Sequence, residues 1–299
     1  MFGPTAAGKS ALAHAAALAL DGEIVVADPF QRYRGLMVAA DAPRPHELAE
    51  VPYHGVLDLD LTQGSTAAEF AALAHAAVDD ILARGRVPVV TGGTGLYLRA
   101  ALADLGFPAP PPEGVRPWAE GLVAADPEAA RRELRERDPD AADRVDTMNP
   151  RRLARALELA VAGEDGGGAR LWDGSMRHPT LLVAVTRPKP VLDALIATRV
   201  RRELDEGLVP ELEAALEAPG VRREPLQIIG AKEVAAMHRG EIDASDLPEL
   251  LSARTRRLAR RQLQWLRRWP DARRIELGEE PAATALPELL DMWRSASAG

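Results

Sequence analysis

The chain contains no cysteine, which rules out disulfides and thiolate metal sites and leaves no thiol redox chemistry. It has no apolar run of about 18 residues, so nothing in it reads as a membrane span. No signal peptide stands ahead of the first motif, and the expected compartment is the cytoplasm. Its six histidines, at 14, 46, 54, 75, 178 and 238, lack metal-ligand spacing. Internal repeats are absent. Lysine is scarce, occurring only at 9, 189 and 232, so almost all of the 37 basic residues are arginine.

What is present fits a soluble globular chain of one or two domains: 299 residues, 46% hydrophobic and 27% charged. The net charge of −8 argues against a general nucleic-acid coat protein. That total hides a local excess. Nine arginines and one acid, Asp271, fall between Arg254 and Arg274. Clustered positive charge suits a polyanionic partner more than the net charge suggests.

The first motif is Gly3-Pro4-Thr5-Ala6-Ala7-Gly8-Lys9-Ser10, which fits G-x-x-x-x-G-K-[ST]. Such a loop wraps a diphosphate or triphosphate in backbone N–H groups. Its lysine reaches the outer phosphates and its hydroxyl holds Mg²⁺. Residues 11–21 read as helix, so the loop also meets a helix N-terminus, where the dipole favours an anion. The buried strand that normally precedes this loop is reduced to Met1 and Phe2, and the expectation is a native start further upstream. Taken alone, the motif says nucleotide-binding.

Further along, 23–28 (EIVVAD) is a short apolar run ending in Asp28, a parallel-strand signature with a carboxylate at the ligand-facing end. Residues 29–45 read as a long functional loop. Another strand is expected at 56–61. Ser65-Thr66 opens a helix over 67–84, with Glu69 near its first turn. A strand at 86–91 runs into Gly92-Gly93-Thr94-Gly95, a second ligand-facing turn. Five prolines within 107–117 mark a linker. Helical, highly charged sequence follows to 163, with Asn149-Pro150 starting one helix, and 163–168 is a Gly-rich break. Strand returns at 180–186. Helices are then expected at 191–206, 210–216, 230–237 and 247–269, the last opened by Asp246 and Glu249. The pattern is an α/β core, 1–107 with 179–299, interrupted by a helical insertion at 108–178 and ending in a helical region.

Lys9, Ser10, Asp28, Thr94 and Arg199 form the candidate site. Thr94 is either a phosphate ligand or a helix N-cap. Asp28 is a general base, a Mg²⁺ partner or a strand-end cap. Arg199 lies in an Arg-Val-Arg-Arg run where most arginines are solvated. In the terminal helix, Leu258, Leu263 and Leu266 face the core, while Trp265 and Trp269, four apart, share a face. Arginine interleaved with tryptophan suits RNA, and buried tryptophans on an amphipathic helix suit the pattern equally well.

Several stretches together resemble bacterial tRNA dimethylallyltransferases: GPTAAGKS (3–10), DPFQRYRGL (28–36), GGTGLYLRAAL (92–102), MNPRRLARALEL (148–159), RVRRELDEGLVPEL (199–212) and RRQLQWLRRW (260–269). The resemblance runs from Gly3 to about Arg274. It implies a P-loop NTPase-like parallel sheet flanked by helices. It also implies transfer of a dimethylallyl group from dimethylallyl diphosphate to N6 of the adenosine 3′-adjacent to the anticodon. Gly3, Thr5, Ala6, Ala7, Gly8, Lys9, Ser10 and Arg199 would hold the diphosphate, with Ser10 on Mg²⁺. Thr94 would bind the bridging oxygen and Asp28 would accept the amine proton. Asp28, Pro29, Phe30, Gln31 and Thr94 would meet the target base. Arg116, Asn149, Pro150, Arg151 and Arg152 would clamp the anticodon stem-loop, and Arg261, Gln262 and Trp265 would add RNA contacts. The implied state is a monomer on tRNA, without a membrane.

Some positions depart from the family pattern. Pro29 stands where the family usually has Ser, and Met37-Val38-Ala39-Ala40-Asp41-Ala42-Pro43 where it has Asp-Ile-Gly-Thr-Ala-Lys-Pro. Tyr53-His54 replaces paired histidines, and Gly230-Ala231 replaces a Gly-Tyr pair. Two other functions fit the motifs: a P-loop small-molecule enzyme (a kinase or adenylate dimethylallyltransferase), and a catalytically impaired tRNA-binding paralogue.

Overall fold

The computed structural model describes residues 1–164 and 175–297. The chain divides into two compact units, Met1–Ala103 with Met176–Gly299, and Asp104–Ser175. The first unit opens with α1 (Lys9–Ala19), β1 (Gly22–Val26), α2 (Pro45–Glu50), β2 (Tyr53–His54), α3 (Ala67–Ala83), β3 (Val87–Thr91) and α4 (Gly95–Leu102). The second holds α5 (Val115–Ala125), α6 (Pro127–Arg137), α7 (Pro139–Arg144) and α8 (Pro150–Ala162). The chain then returns to the first unit with β4 (Val183–Thr186), α9 (Lys189–Asp205), α10 (Leu208–Glu217), α11 (Ala231–His238), α12 (Leu247–Leu266), β5 (Arg273–Glu276) and α13 (Leu286–Ser297).

All strand pairing is parallel among the described residues that form named strands. β1 lies between β2 and β3, with Ile24 opposite Tyr53 on one side and Val89 on the other. β4 pairs with β5, Val185 opposite Ile275. β1 is buried along its whole length, as a parallel strand covered on both faces must be. Phe2 joins the two sheets through parallel bridges to Gly92 and Ala184. Its N–H donates to the Val183 carbonyl at 2.9 Å, and its own carbonyl accepts from the Val185 N–H at 2.8 Å. Its ring meets Trp269 edge-on, with centroids 4.4 Å apart. Met1 and Phe2 thus occupy the central strand position, and the phosphate loop springs from the middle of the sheet.

Near the start of β1, Glu23 is buried in the sheet and ion-paired to Arg84, to Arg86 at 2.6 Å and to His54 at 2.7 Å. The hydrogen bond from Arg84 is the main reason its carboxyl is held down to about 2. Thr66 and Glu69 form a reciprocal capping box at the start of α3, with bonds of 3.2 and 2.8 Å.

The 29–45 segment has neither helix nor strand before α2 begins at Pro45. It is nonetheless tightly held. Tyr33 and Leu36 are buried with Leu208, Leu212, Val234 and Leu251. The Glu211 carboxylate accepts the N–H groups of Val38 at 2.9 Å and Ala39 at 2.8 Å.

Four expectations need correction. The strand at 56–61 does not form: Gly55 and Leu57 take left-handed φ of 71° and 49°, which interrupts extended pairing after His54. α12 ends at Leu266, so Trp269 lies beyond the helix and does not share a face with Trp265. The deeply buried positions of α12 are Leu247, Leu251, Ser252, Thr255, Ala259 and Gln262, while Leu258, Leu263 and Leu266 are only partly covered. Asp246 sits at the N-cap of α12 without capping through its side chain, and Glu249 pairs with Arg256 at 2.5 Å instead. β5 and α13 are additional elements. β5 is four residues long with only Ile275 buried, too little pattern to read from sequence.

The second unit packs α5, α6 and α8 around Val123, Leu134, Leu153 and Leu157. Asp126, Asp138 and Asn149 each cap a helix whose first residue is proline. Gly163 ends α8 in a left-handed conformation, and the rest of the 163–168 run lies outside the described residues, apart from Glu164.

Candidate active site

The phosphate loop has its shape because small residues are forced at its turns. A Cβ on Gly3, whose φ is 154°, would sit 2.1 Å from the Val185 carbonyl oxygen. One on Gly8, φ 94°, would sit 2.4 Å from the Ala282 Cβ. Gly8 is the N-cap of α1 and brings no side chain, so the first N–H groups of α1 have no side-chain cap. Unsatisfied N–H groups at a helix start are what an anion binds.

The loop borders a cavity of about 630 Å³, of the size that holds small-molecule substrates. Every lining residue belongs to the first unit. Thr5, Ala6, Gly8, Lys9 and Ser10 form one wall, and Asp28, Phe30 and Gln31 another. Leu208, Ile228, Ile229, Leu251 and Leu258 make an apolar portion. One cavity therefore offers an anion cradle, a carboxylate and an aliphatic surface.

Lys9 is buried, and its Nζ donates to the Pro4 carbonyl at 2.8 Å. Burial, and then the charge of Arg199, lower its ammonium to about 8, against the pull of Asp28 and Asp41. Asp28 follows the end of β1 and accepts the Phe30 N–H at 2.9 Å. Burial raises its carboxyl above the usual range, opposed by the N–H groups of Phe30 and Gln31. A carboxylate of raised basicity in a cavity is suited to accept a proton.

Arg199 does more than the sequence implies. It donates to the Thr5 hydroxyl at 2.8 Å, so α9 grips the phosphate loop directly. The same guanidinium meets Glu203 at 2.6 Å and Asp41 at 3.1 Å. Asp41 also pairs with Arg202 at 2.5 Å. Gln31 donates through Nε2 to the carbonyls of Ala40 and Asp41, both at 3.3 Å, which ties the base-side segment to the departing loop.

The other candidates are distributed less tidily. Thr94 is the N-cap of α4, but its side chain makes no cap bond, and the cavity lining reaches Gly93 without including it. Pro29 is likewise outside the lining, whereas Arg261 is part of it. Gln262, expected on RNA, is buried, and its Oε1 accepts the Thr5 N–H at 2.7 Å. Trp265 packs on the 92–95 turn, where a Cβ on Gly95 would fall 2.2 Å from its ring. In the second unit, Arg116 pairs with the buried Glu158 at 3.3 Å. Asn149 spends its side-chain oxygen on the N–H groups of Arg151 and Arg152, at 3.1 and 3.4 Å. Both arginines are exposed, and Arg152 lies 3.7 Å from Asp146.

Arg187 was invisible to sequence reading. It is buried and donates to three main-chain carbonyls: Ala7 of the phosphate loop at 3.0 Å, Glu280 at 2.9 Å, and Gly278. Its only local signal is its place just after a strand. Asp41 has no sequence signal either, because nothing in spacing ties it to Arg199, whereas Glu203, four residues after Arg199 on α9, has the i,i+4 spacing that could have revealed it.

Among the described residues no three His, Asp or Glu side chains cluster as a metal site. Ser10 offers a hydroxyl exposed at the first turn of α1, on the cavity wall. That donor set fits Mg²⁺ brought in by a polyphosphate, because Mg²⁺ keeps water and substrate oxygens and needs few protein ligands. It does not fit a resident all-protein metal site.

A parallel α/β core with this loop at its centre and a carboxylate on the same cavity defines an α/β enzyme of the phosphate-loop class. The model of the IPP transferase family matches residues 31–269, and the chain belongs to that family. A relative from Kineococcus radiotolerans, named tRNA dimethylallyltransferase, is 40% identical over 90% of this chain and 87% of its own. One from Streptomyces avermitilis with the same name is 38% identical over 97% and 93%. The crystal structure of the full-length tRNA isopentenylpyrophosphate transferase of Bacillus halodurans superposes with a TM-score of 0.73 at 27% identity, covering 99% of this chain and 94% of that one.

Proposed function

We propose that this chain transfers a dimethylallyl group from dimethylallyl diphosphate to N6 of the adenosine 3′-adjacent to the anticodon of tRNA. The observation that carries this reading is the single cavity in which the phosphate loop, the Arg199–Thr5 grip, Asp28 and an aliphatic surface meet. A kinase needs no aliphatic lobe beside its phosphates. A prenyl donor does.

The N–H groups of the loop, Lys9 and Arg199 receive the diphosphate. As the C1–O bond breaks, negative charge grows on the leaving diphosphate, and these fixed donors stabilise it more than they stabilise the intact ester. The adenine N6 lone pair forms the new bond to C1. The proton released from N6 passes to Asp28, and diphosphate leaves. Mg²⁺, when bound, neutralises diphosphate charge, with Ser10 as the protein ligand that would hold it. Leu208, Ile228 and Leu251 exclude water from the allyl fragment while it carries cationic character.

On the RNA side, Asp28, Pro29, Phe30, Gln31 and Thr94 meet the extruded adenosine, as enzymes that modify a base must take it out of the stack. Arg261 and Trp265, and in the second unit Arg116, Asn149, Pro150, Arg151 and Arg152, contact the anticodon stem-loop, one chain per tRNA. The arginine-rich segment through α12 supplies phosphate contacts, which predicts salt-dependent binding.

The test is incubation of the full chain with labelled dimethylallyl diphosphate and Mg²⁺, offering tRNA, AMP or ATP. Label is expected in tRNA alone. Label in AMP only, or phosphate transfer from ATP, would overturn this assignment.

A further inference from the structure

α12 carries arginines on its exposed positions, yet Gln262 points inward and is 7% exposed. Its Oε1 accepts the N–H of Thr5, 257 residues away, at 2.7 Å. Thr5 is the third residue of the eight-residue phosphate loop. Its hydroxyl accepts from Arg199 at 2.8 Å. The same residue is thus gripped through its main chain by α12 and through its side chain by α9. The other end of the Gln262 amide lies against the second ligand-facing turn, because a Cβ on Gly93 would fall 2.2 Å from Nε2.

An N–H of a phosphate loop is ordinarily available to an anion. Here Gln262 withdraws one of them, which decides which N–H groups of the loop face the cavity. It also sets the spacing between the loop and the 92–95 turn. We infer that Gln262 is a positioning residue for the donor diphosphate: it fixes the phosphate loop in its binding conformation against the 92–95 turn, and it does not read RNA. This rests on the prenyl-transfer reading for the identity of the donor, but the geometry concerns the loop itself.

Two variants of the full chain test it. Gln262→Met keeps the length of the side chain and removes the strong acceptor. Gly93→Ala leaves Gln262 in place and pushes its amide off Thr5. Inorganic pyrophosphate with Mg²⁺ is the titrant for calorimetry, and tRNA is titrated separately. Loss of one buried hydrogen bond predicts about a tenfold weaker pyrophosphate affinity in either variant. In turnover, the KM for dimethylallyl diphosphate should rise by a similar factor, while kcat at saturating donor and the tRNA affinity stay within about twofold. A general loosening of the fold would move all three, so the split separates positioning from structural support. Thermal melts establish that each variant is folded, and Gly93→Ala carries the test if Gln262→Met is not.

Unchanged pyrophosphate affinity in a folded variant overturns the inference. So does loss of tRNA affinity with pyrophosphate binding intact, which would make Gln262 an RNA contact. A wild-type chain that binds no pyrophosphate overturns the donor reading and this inference together, and is distinguishable from a variant that behaves like a pyrophosphate-binding wild type.

Discussion

The Asp41 carboxylate meets the Arg199 guanidinium at 3.1 Å, while the same guanidinium donates to the Thr5 hydroxyl of the phosphate loop at 2.8 Å. A carboxylate from the segment that departs from the family pattern therefore shares the cation that grips the phosphate loop. Removing that negative charge should favour an incoming anion. Asp41→Asn is expected to tighten pyrophosphate binding by about two- to fivefold, the worth of a partly exposed ion pair. Calorimetry with Mg²⁺ and pyrophosphate checks it. Weaker binding would mean that Asp41 chiefly holds Arg199 in place.

The pH dependence of kcat/KM for the donor should be bell-shaped. As the proposed proton acceptor Asp28 would have to be ionised, and burial raises its carboxyl, so activity is expected to fall at a higher pH than an ordinary aspartate would cause. As the proposed diphosphate ligand Lys9 would have to be protonated, and burial lowers its ammonium to about 8. The alkaline limb should lie there. Asp28→Asn should lower turnover by about 10²- to 10⁴-fold and remove the acid limb. The same Lys9 shift affects stability with a definite sign. The folded state binds this proton less tightly than the unfolded chain, so Lys9 opposes folding below about 8. That opposition fades as pH rises from there to the ordinary lysine value of 10.5.

Arg187 braces the loop from behind through the Ala7 carbonyl at 3.0 Å. Arg187→Met leaves three main-chain carbonyls, that of Ala7 buried, without this donor and should cost about 2–4 kcal/mol in denaturant titration. Arg187→Lys keeps the charge but cannot reproduce the fork of donors, so it should recover only part of the loss.

Glycines at 95 and 121 should respond in opposite directions to alanine. A Cβ on Gly95 would lie 2.2 Å from the Trp265 ring, and overpacking of this kind costs about 1–3 kcal/mol. Gly121 lies within α5 with nothing within 4 Å of its Cβ position, so Gly121→Ala should stabilise by up to about 1 kcal/mol. Melting curves of the two variants decide. An equal response would contradict the packing described around the 92–95 turn.

Local signals were legible wherever one short stretch carried the whole instruction. The glycines and lysine of 3–10 mark a phosphate-loop motif within eight residues. The alternation of apolar strands and helices specifies parallel α/β structure. Asp28 could be found because it ends a buried strand, where such sheets place their ligands. The 56–61 strand failed because periodicity does not reveal a left-handed φ at Leu57. The inward side chain of Gln262 is not legible in the sequence, because an arginine-rich helix looks polar all round, while its buried face includes small residues at 252, 255 and 259 that the pattern does not weight.

The sequence by itself determined the phosphate-loop motif, most of the succession of elements and the family. Only the tertiary structure decided which side chains act on that loop. Thr5 is held by Arg199 and Gln262, Ala7 by Arg187, and Arg199 by Asp41 and Glu203. Except for the local Arg199–Glu203 pair, these partners lie more than 150 residues apart in the chain. Local sequence encodes propensity over a few residues, whereas these contacts exist only once β4, α9 and α12 have packed around the same central position in the sheet.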